Sequence, residues 1–239
     1  MAALARLFLA HVVADFPLQF DGVFAWKKRS YAGCLAHSVI HAAMTVLFFL
    51  GRLRSYSFWA YIILLIAVHS YQDYTKVNLW KNPEDDKISY FLIDQFLHVA
   101  FIFIALLFPF SSDVAYYGRL LPAEWLILYN DTAFLNILSG ALLAGWGGVV
   151  LLYYMDKSVY KVEIDELNRF ERSYGVIERA LVVIIVMKSG LWYLLMPCLF
   201  LLRLSGMRRQ PLYRGIISLV FSSLVGFCVY LVNTYAAQP

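Results

Sequence analysis

The sequence predicts an all-α, polytopic transmembrane bundle of about seven spans, the first four forming two repeated hairpins. Three observations carry that prediction. The 239 residues are 62% hydrophobic and only 15% charged, far below the roughly 25% charged residues of an ordinary soluble domain. The apolar residues gather into runs of about 20, the length that crosses roughly 30 Å of hydrocarbon. Ionisable residues recur inside the first four runs at one fixed spacing.

In chain order the expected spans are Ala2 to Phe20, Ala32 to Leu50, Phe58 to Val77, Ile88 to Phe110, Thr132 to Met155, Val176 to Leu204, and Leu212 to Val232. The first is interrupted by Arg6, His11 and Asp15, which argues against a cleaved signal peptide, whose centre is purely apolar. The fourth stops at Pro109, a residue that ends helices. Val114 to Tyr129 mixes Arg119, Pro122 and Glu124 with aromatic and apolar residues and suits a short helix lying in the membrane interface. Asp156 to Tyr174 carries charges of both signs and reads as a solvated connection with one or two helical turns. The expected organisation is a four-helix metal-binding core at 1–110, with hairpins at 1–50 and 58–110, followed by accessory membrane helices at 111–239.

The formal charge of +4 is modest and the basic residues sit mostly near span ends, as lipid headgroups favour. No basic patch points to nucleic acid. The compact Lys27-Lys28-Arg29 cluster, in a very short connection, places the face after span one in the cytoplasm by the positive-inside rule. Cys34, Cys198 and Cys228 lie far apart in apolar segments, so they read as small core residues rather than a disulfide framework or metal site.

The histidines are the informative residues. Each of the five has a His or Asp partner four positions away: His11 with Asp15, His37 with His41, His69 with Asp73, and Asp94 with His98. Such pairs share one helix face with Cβ atoms about 5–6 Å apart, a span that one metal ion can bridge. His and Asp together fill about 6% of the positions, so chance accounts for the pattern badly. Because consecutive spans run in opposite directions, all four pairs fall a turn or two below the same face. His11 to His69 and Asp15 to Asp73 are 58 apart, while His37 to Asp94 and His41 to His98 are 57 apart. That repeat implies one hairpin used twice about a pseudo-twofold axis along the membrane normal.

Buried hydrogen bonds between membrane helices contribute roughly 0.6–2 kcal/mol, too little to offset the insertion of eight ionisable groups at about 2.5–3.5 kcal/mol per central Asp. Five imidazoles and three carboxylates exceed what one tetrahedral zinc takes and suit two divalent ions with open positions. Nitrogen with carboxylate oxygen fits zinc first, with iron or manganese as alternatives. Gln19, Gln72, Gln95 and Lys76 lie near the pairs and are candidates to support the ligands from behind. In span six, Glu178 and Arg179 fall at the same level, and Arg179 is expected to orient an anionic headgroup.

The pattern His11-Val-Val-Ala-Asp15-Phe-Pro-Leu-Gln19, His37-Ser-Val-Ile-His41, His69-Ser-Tyr-Gln-Asp73 and Asp94-Gln95-Phe-Leu-His98 resembles an uncharacterised family of bacterial integral membrane proteins. The resemblance covers roughly the first 110 residues, and Gly175 to Arg179 is similar to a GxxER element of its extended form. It implies a multi-pass protein of the bacterial inner membrane and no particular activity. The His11-xxx-Asp15 element also resembles a helix motif of zinc-dependent phospholipases C, which hydrolyse phosphate esters.

The leading expectation is a membrane-embedded di-metal hydrolase acting on a lipid-linked ester, first of all a phosphoester. Its ligands would be His11, Asp15, His37, His41, His69, Asp73, Asp94 and His98, with Asp15, Asp73, Asp94 and Arg179 taking part in catalysis. Alternatives are a di-iron lipid oxidase or hydroxylase and a divalent-metal carrier or metal-stabilised scaffold. A membrane lipid or lipid-linked substrate is the expected partner, and a homo-oligomer is compatible with the pattern.

Overall fold

In a computed structural model of the chain, the described residues are 2–79, 87–111, 123–161, 169–188, 190–206 and 211–236. All regular elements among them are helical. They form two compact units, Met1–Leu135 and Asn136–Pro239. Among the described residues, four helical segments are long and apolar enough to cross a membrane: Tyr31–Phe48, Ile88–Leu107, Thr132–Tyr160 and Leu212–Tyr235.

The first unit contains α1 (Ala2–Asp15), α2 (Asp21–Arg29), α3 (Tyr31–Phe48), α4 (Tyr56–Leu79), α5 (Ile88–Ile104) and α6 (Ala123–Asn130). The run expected as one span from Ala2 to Phe20 is therefore shorter as a helix. It ends at Asp15, just before Pro17, whose ring cannot continue the hydrogen-bond ladder. The chain then turns into α2, an additional short helix. Ser30 starts α3 by accepting the Gly33 N–H at 3.1 Å, one of the otherwise unsatisfied donors of a helix start. The helix α4 is long enough to span, but His69, Gln72, Asp73 and Lys76 make its C-terminal half polar.

The helices α1, α3, α4 and α5 form a ring in that order, each touching the next and α5 touching α1. The helices matched by the repeat spacing, α1 with α4 and α3 with α5, thus stand at opposite corners. One end of the ring is an apolar plug. It includes Ala3 and Leu7 of α1, Phe58, Tyr61 and Leu65 of α4, and Phe101 and Ile102 of α5, closed by Phe49 and Phe110. Arg6 belongs to this end, where it donates to Asn130 Oδ1 at 2.9 Å and lies over the Tyr129 ring. That contact ties α6 to the first unit and carries its boundary past residue 110. Of the expected interfacial segment Val114 to Tyr129, residues 114–122 lie outside the described residues and the remainder is in α6.

The second unit is built from α7 (Thr132–Leu142, most of which belongs here), α8 (Gly148–Met155), α9 (Arg169–Lys188), α10 (Leu195–Gly206) and α11 (Leu212–Ala236). Two π-helical turns, Leu143–Gly147 and Asp156–Tyr160, lie before and after α8. The expectation of a single span from Val176 to Leu204 is corrected here. Helix α9 stops at Lys188, Gly190 takes φ +61°, and a 3₁₀ turn at Gly190–Leu194 leads into α10. A positive φ is open to glycine and breaks the α-helical path. The polar connection expected at 156–174 is helical at both ends, while its centre, 162–168, lies outside the described residues.

Candidate metal centre

The end of the ring opposite the apolar plug holds all four His/Asp pairs. None of the eight side chains belongs to a residue more than 7% exposed. Helix α1 delivers Asp15 at its last residue, where its carboxylate reaches three histidines. Oδ1 lies 3.1 Å from both His37 Nε2 and His41 Nε2, and Oδ2 lies 3.3 Å from His11 Nε2. His37 Nε2 and His41 Nε2 are themselves 3.3 Å apart. A tetrahedral zinc site with ligands about 2.0–2.1 Å away separates neighbouring ligand atoms by roughly 3.3 Å. The triangle of Asp15, His37 and His41 therefore has the dimensions of one face of such a coordination sphere.

The imidazoles pack around this face. The His41 and His69 ring centres are 3.9 Å apart, and those of His69 and His98 are 4.3 Å apart. Three groups bring their ligand atoms within 4.8 Å of one another: Asp15 with His37, His41 and His69; His11 with Asp15 and His98; and His69 with Asp73 and His98. Side-chain hydrogen bonds do not satisfy this assembly. His37 Nδ1, His69 Nε2 and both ring nitrogens of His98 have no hydrogen-bond partner among the described residues. The nearest carboxylate oxygens stand 3.6 Å from His69 Nε2 and 3.8 Å from His98 Nδ1, beyond hydrogen-bonding distance. Each buried polar atom left in that state costs about 1–3 kcal/mol. Metal ligation would use His69 Nε2 and one nitrogen of His98 directly, so the donor set fits divalent cations.

Asp94 stands apart from these three groups. Its Oδ2 is 2.5 Å from Lys76 Nζ, and Gln95 Nε2 lies 3.4 Å from both Asp94 Oδ2 and Asp15 Oδ2. Lys76 and Gln95, expected near the pairs, thus contact carboxylates of the cluster. Gln72 lies close in sequence, yet its buried Oε1 has no partner among the described residues. Gln19 reaches the centre indirectly, by accepting from Lys27 Nζ at 3.1 Å.

Lys27 was not singled out by the sequence as a site residue. Its Nζ lies 2.6 Å from Asp73 Oδ1, and the residue is buried. Burial alone would push its ammonium group down. The carboxylates of Asp73, Asp15 and Asp94 reverse that effect and hold the group above its ordinary value. Its position depends on Gly33, where a Cβ would fall 2.3 Å from the Trp26 carbonyl. The backbone of α3 thus crosses directly over α2 and turns Lys27 into the ring. Val23 and Lys27, four residues apart, are the two buried positions of α2; in the sequence Lys27 stands out only as part of the Lys27-Lys28-Arg29 cluster.

Arg179 lies in the second unit and spends its donors there. Nε donates to the Ala144 carbonyl at 2.9 Å, Nη2 to the Gly145 carbonyl at 2.8 Å, and Nη1 to Ser218 Oγ at 3.2 Å. Both carbonyls belong to the π-helical turn Leu143–Gly147, where the wider ring disturbs the α-helical hydrogen-bond register. A Cβ on Gly148 would lie 2.5 Å from Arg179 Nε, and one on Gly175 would lie 3.1 Å from its Nη1. The glycines therefore make the slot this guanidinium fills. Glu178 pairs with Arg203, while Asp156 accepts from Tyr213 at 2.6 Å and lies 2.8 Å from Arg214 Nη2.

Comparison with curated proteins and with solved structures finds no significant match. A family model described as a protein of unknown function, DUF3307, matches residues 3–125. The matched segment holds all eight paired residues together with Lys27 and Lys76, and Arg179 falls outside it. With more than half of its length inside that model, the chain belongs to this uncharacterised family.

Proposed function

We propose that the first unit binds two divalent metal ions, zinc by first choice, and hydrolyses a lipid-linked ester, a phosphoester before others. The observation that carries this reading is the carboxylate of Asp15, whose two oxygens face different histidines: Oδ1 faces His37 and His41, and Oδ2 faces His11. A carboxylate so disposed would offer one oxygen to each half of the ligand set of a two-metal hydrolytic site. His37, His41 and His69 would serve one ion, and His11 and His98 the other, with Asp73 beside His69 and His98. Iron or manganese would fit the same nitrogen and oxygen donors.

When bound, two such ions activate water and polarise the ester being cleaved. The chain's own residues then have distinct tasks. Asp15 joins the two halves of the ligand set. Asp73 and Asp94, the other two carboxylates of the cluster, would take up the proton that an activated water gives up. The apolar plug beneath the site keeps the opposite side of the ring dry, which supports a pocket opening to one face rather than a carrier path. For Arg179, its hydrogen bonds to Ala144, Gly145 and Ser218 support a role in holding its own unit together.

The expected setting is the bacterial inner membrane, crossed about seven times, with the site nearer the cytoplasmic face. The Lys27-Lys28-Arg29 cluster beside the site supports that orientation. The similarity of His11-xxx-Asp15 to zinc-dependent phospholipases C supports phosphoester chemistry.

The test is metal-dependent turnover of phospholipids and polyprenyl phosphates in mixed micelles. Hydrolysis that is lost on chelation, restored by zinc and absent in Asp15→Asn would support the proposal. Dioxygen-dependent turnover by a coloured, iron-containing protein would replace it with the oxidase reading.

A further inference from the structure

Two of the three carboxylates in the centre carry a lysine. Lys27 Nζ sits on Asp73 Oδ1 at 2.6 Å, and Lys76 Nζ sits on Asp94 Oδ2 at 2.5 Å. Asp15, the carboxylate facing three histidines, carries none. We propose that Lys27 and Lys76 form an anion-binding pair that grips the phosphate of the substrate, which makes that substrate a phosphate ester rather than a neutral ester. This inference rests on the two-metal reading of the same site.

The first argument is charge. With the imidazoles neutral, as ligation requires, three carboxylates against two ammonium groups leave a single negative charge in the buried cluster. Two divalent ions convert it to three positive charges. Isolated charge is costly in so dry an environment. A loaded site of this kind therefore draws in anions, and a phosphate ester supplies negative charge where a neutral carboxylic ester supplies none. The second argument is donor capacity. An ammonium group has three N–H donors. Lys27 uses two, on Asp73 and Gln19, and Lys76 uses one, on Asp94. Those contacts leave each ammonium group at least one further N–H, in a cluster that also holds imidazole nitrogens without hydrogen-bond partners among the described residues. The third argument is the broken repeat. Where the first hairpin has His37, the second has Asp94 joined to Lys76. A neutral potential ligand is thus replaced by a neutral ion pair that brings an ammonium group to the same end of the ring.

The test uses the full-length protein in detergent, loaded with zinc, with inorganic phosphate as the probe in titration calorimetry. Bound metal is measured on the same samples. Lys27→Met and Lys76→Met should each keep their metal and bind phosphate about tenfold or more weakly, the size of a hydrogen bond to a charged group. Lys76→Arg, which retains the charge, should recover most of the affinity. Unchanged phosphate affinity in metal-loaded Lys→Met variants would overturn the proposal and leave the lysines as counter-ions only. Loss of metal from those variants, with wild type still loaded, would also overturn it and leave the metal centre standing. A wild-type protein that takes up no zinc would overturn the metal reading itself, and the anion pair with it. Parallel titration with short-chain phosphatidic acid separates two sources of the anion. Tighter binding than inorganic phosphate supports the pair as a lipid-headgroup site, and equal binding supports it as a site for the phosphate alone.

Discussion

Both compact units bury ionisable side chains, the first more of them than the second, and they satisfy them in opposite ways. In the second unit, Glu178 meets Arg203, Asp156 meets Arg214 and Tyr213, and Arg179 fills a glycine-lined slot against two carbonyls and Ser218. In the first, five histidine nitrogens on four rings are buried without a hydrogen-bond partner among the described residues. A network whose members satisfy one another stabilises a fold. A network of nitrogen donors left open is a ligand set, because its cost is recovered only when something binds.

That contrast can be broken in order of expected effect. Arg203→Met would leave Glu178 buried without its guanidinium. Breaking such a pair costs about 3–5 kcal/mol, read as a lowered thermal midpoint in detergent, while metal bound per folded chain stays at the wild-type level. Stripping metal from wild-type protein should cost about 3 kcal/mol of stability for each ion when free metal had stood near a hundredfold over its dissociation constant. Asp15→Asn should show no such chelator-dependent loss in the same melting experiment. Gly148→Ala forces a Cβ to within 2.5 Å of Arg179 Nε and should cost about 1–3 kcal/mol as overpacking, again with metal content intact. Ser30→Ala removes only the cap of α3 and should cost about 1 kcal/mol, the smallest of the four by thermal melting. If either second-unit substitution emptied the metal site, the division of roles between the units would fail.

The candidate site was legible because helical spacing and membrane cost act together. A His or Asp four residues from another shares its helix face, and few reasons justify placing either in lipid. His11, Asp15, His37, His41, His69, Asp73, Asp94 and His98 do converge at one end of the ring. What sequence spacing does not contain is pairing between helices. Lys76 and Asp94 are 18 residues apart on α4 and α5, so nothing in the four-residue count separates Asp94, held by an ammonium group, from Asp15, held by imidazoles. Lys27 was legible only as part of a charge cluster near the membrane face. Its burial depends on the crossing of α3 over α2 at Gly33, a tertiary contact.

The fold was legible as helical and membrane-embedded for the same compositional reason, and less so in its breaks. The apolar run from Val176 to Leu204 continues through Gly190 and Pro197, so hydropathy alone reads one span. The positive φ at Gly190 divides it. At the other end of the chain the apolar run to Phe20 continues past Pro17, although α1 has already ended at Asp15, and the separate helix α2 lies in the charged stretch that follows the run.

The central claim is that Asp15 joins two metal ions, and elemental analysis of gently purified protein tests it most directly. Wild type should carry about two divalent ions per chain, as a two-metal site requires, and Asp15→Asn should lose both. Wild-type protein with no metal above background, or Asp15→Asn retaining both ions, would contradict the account.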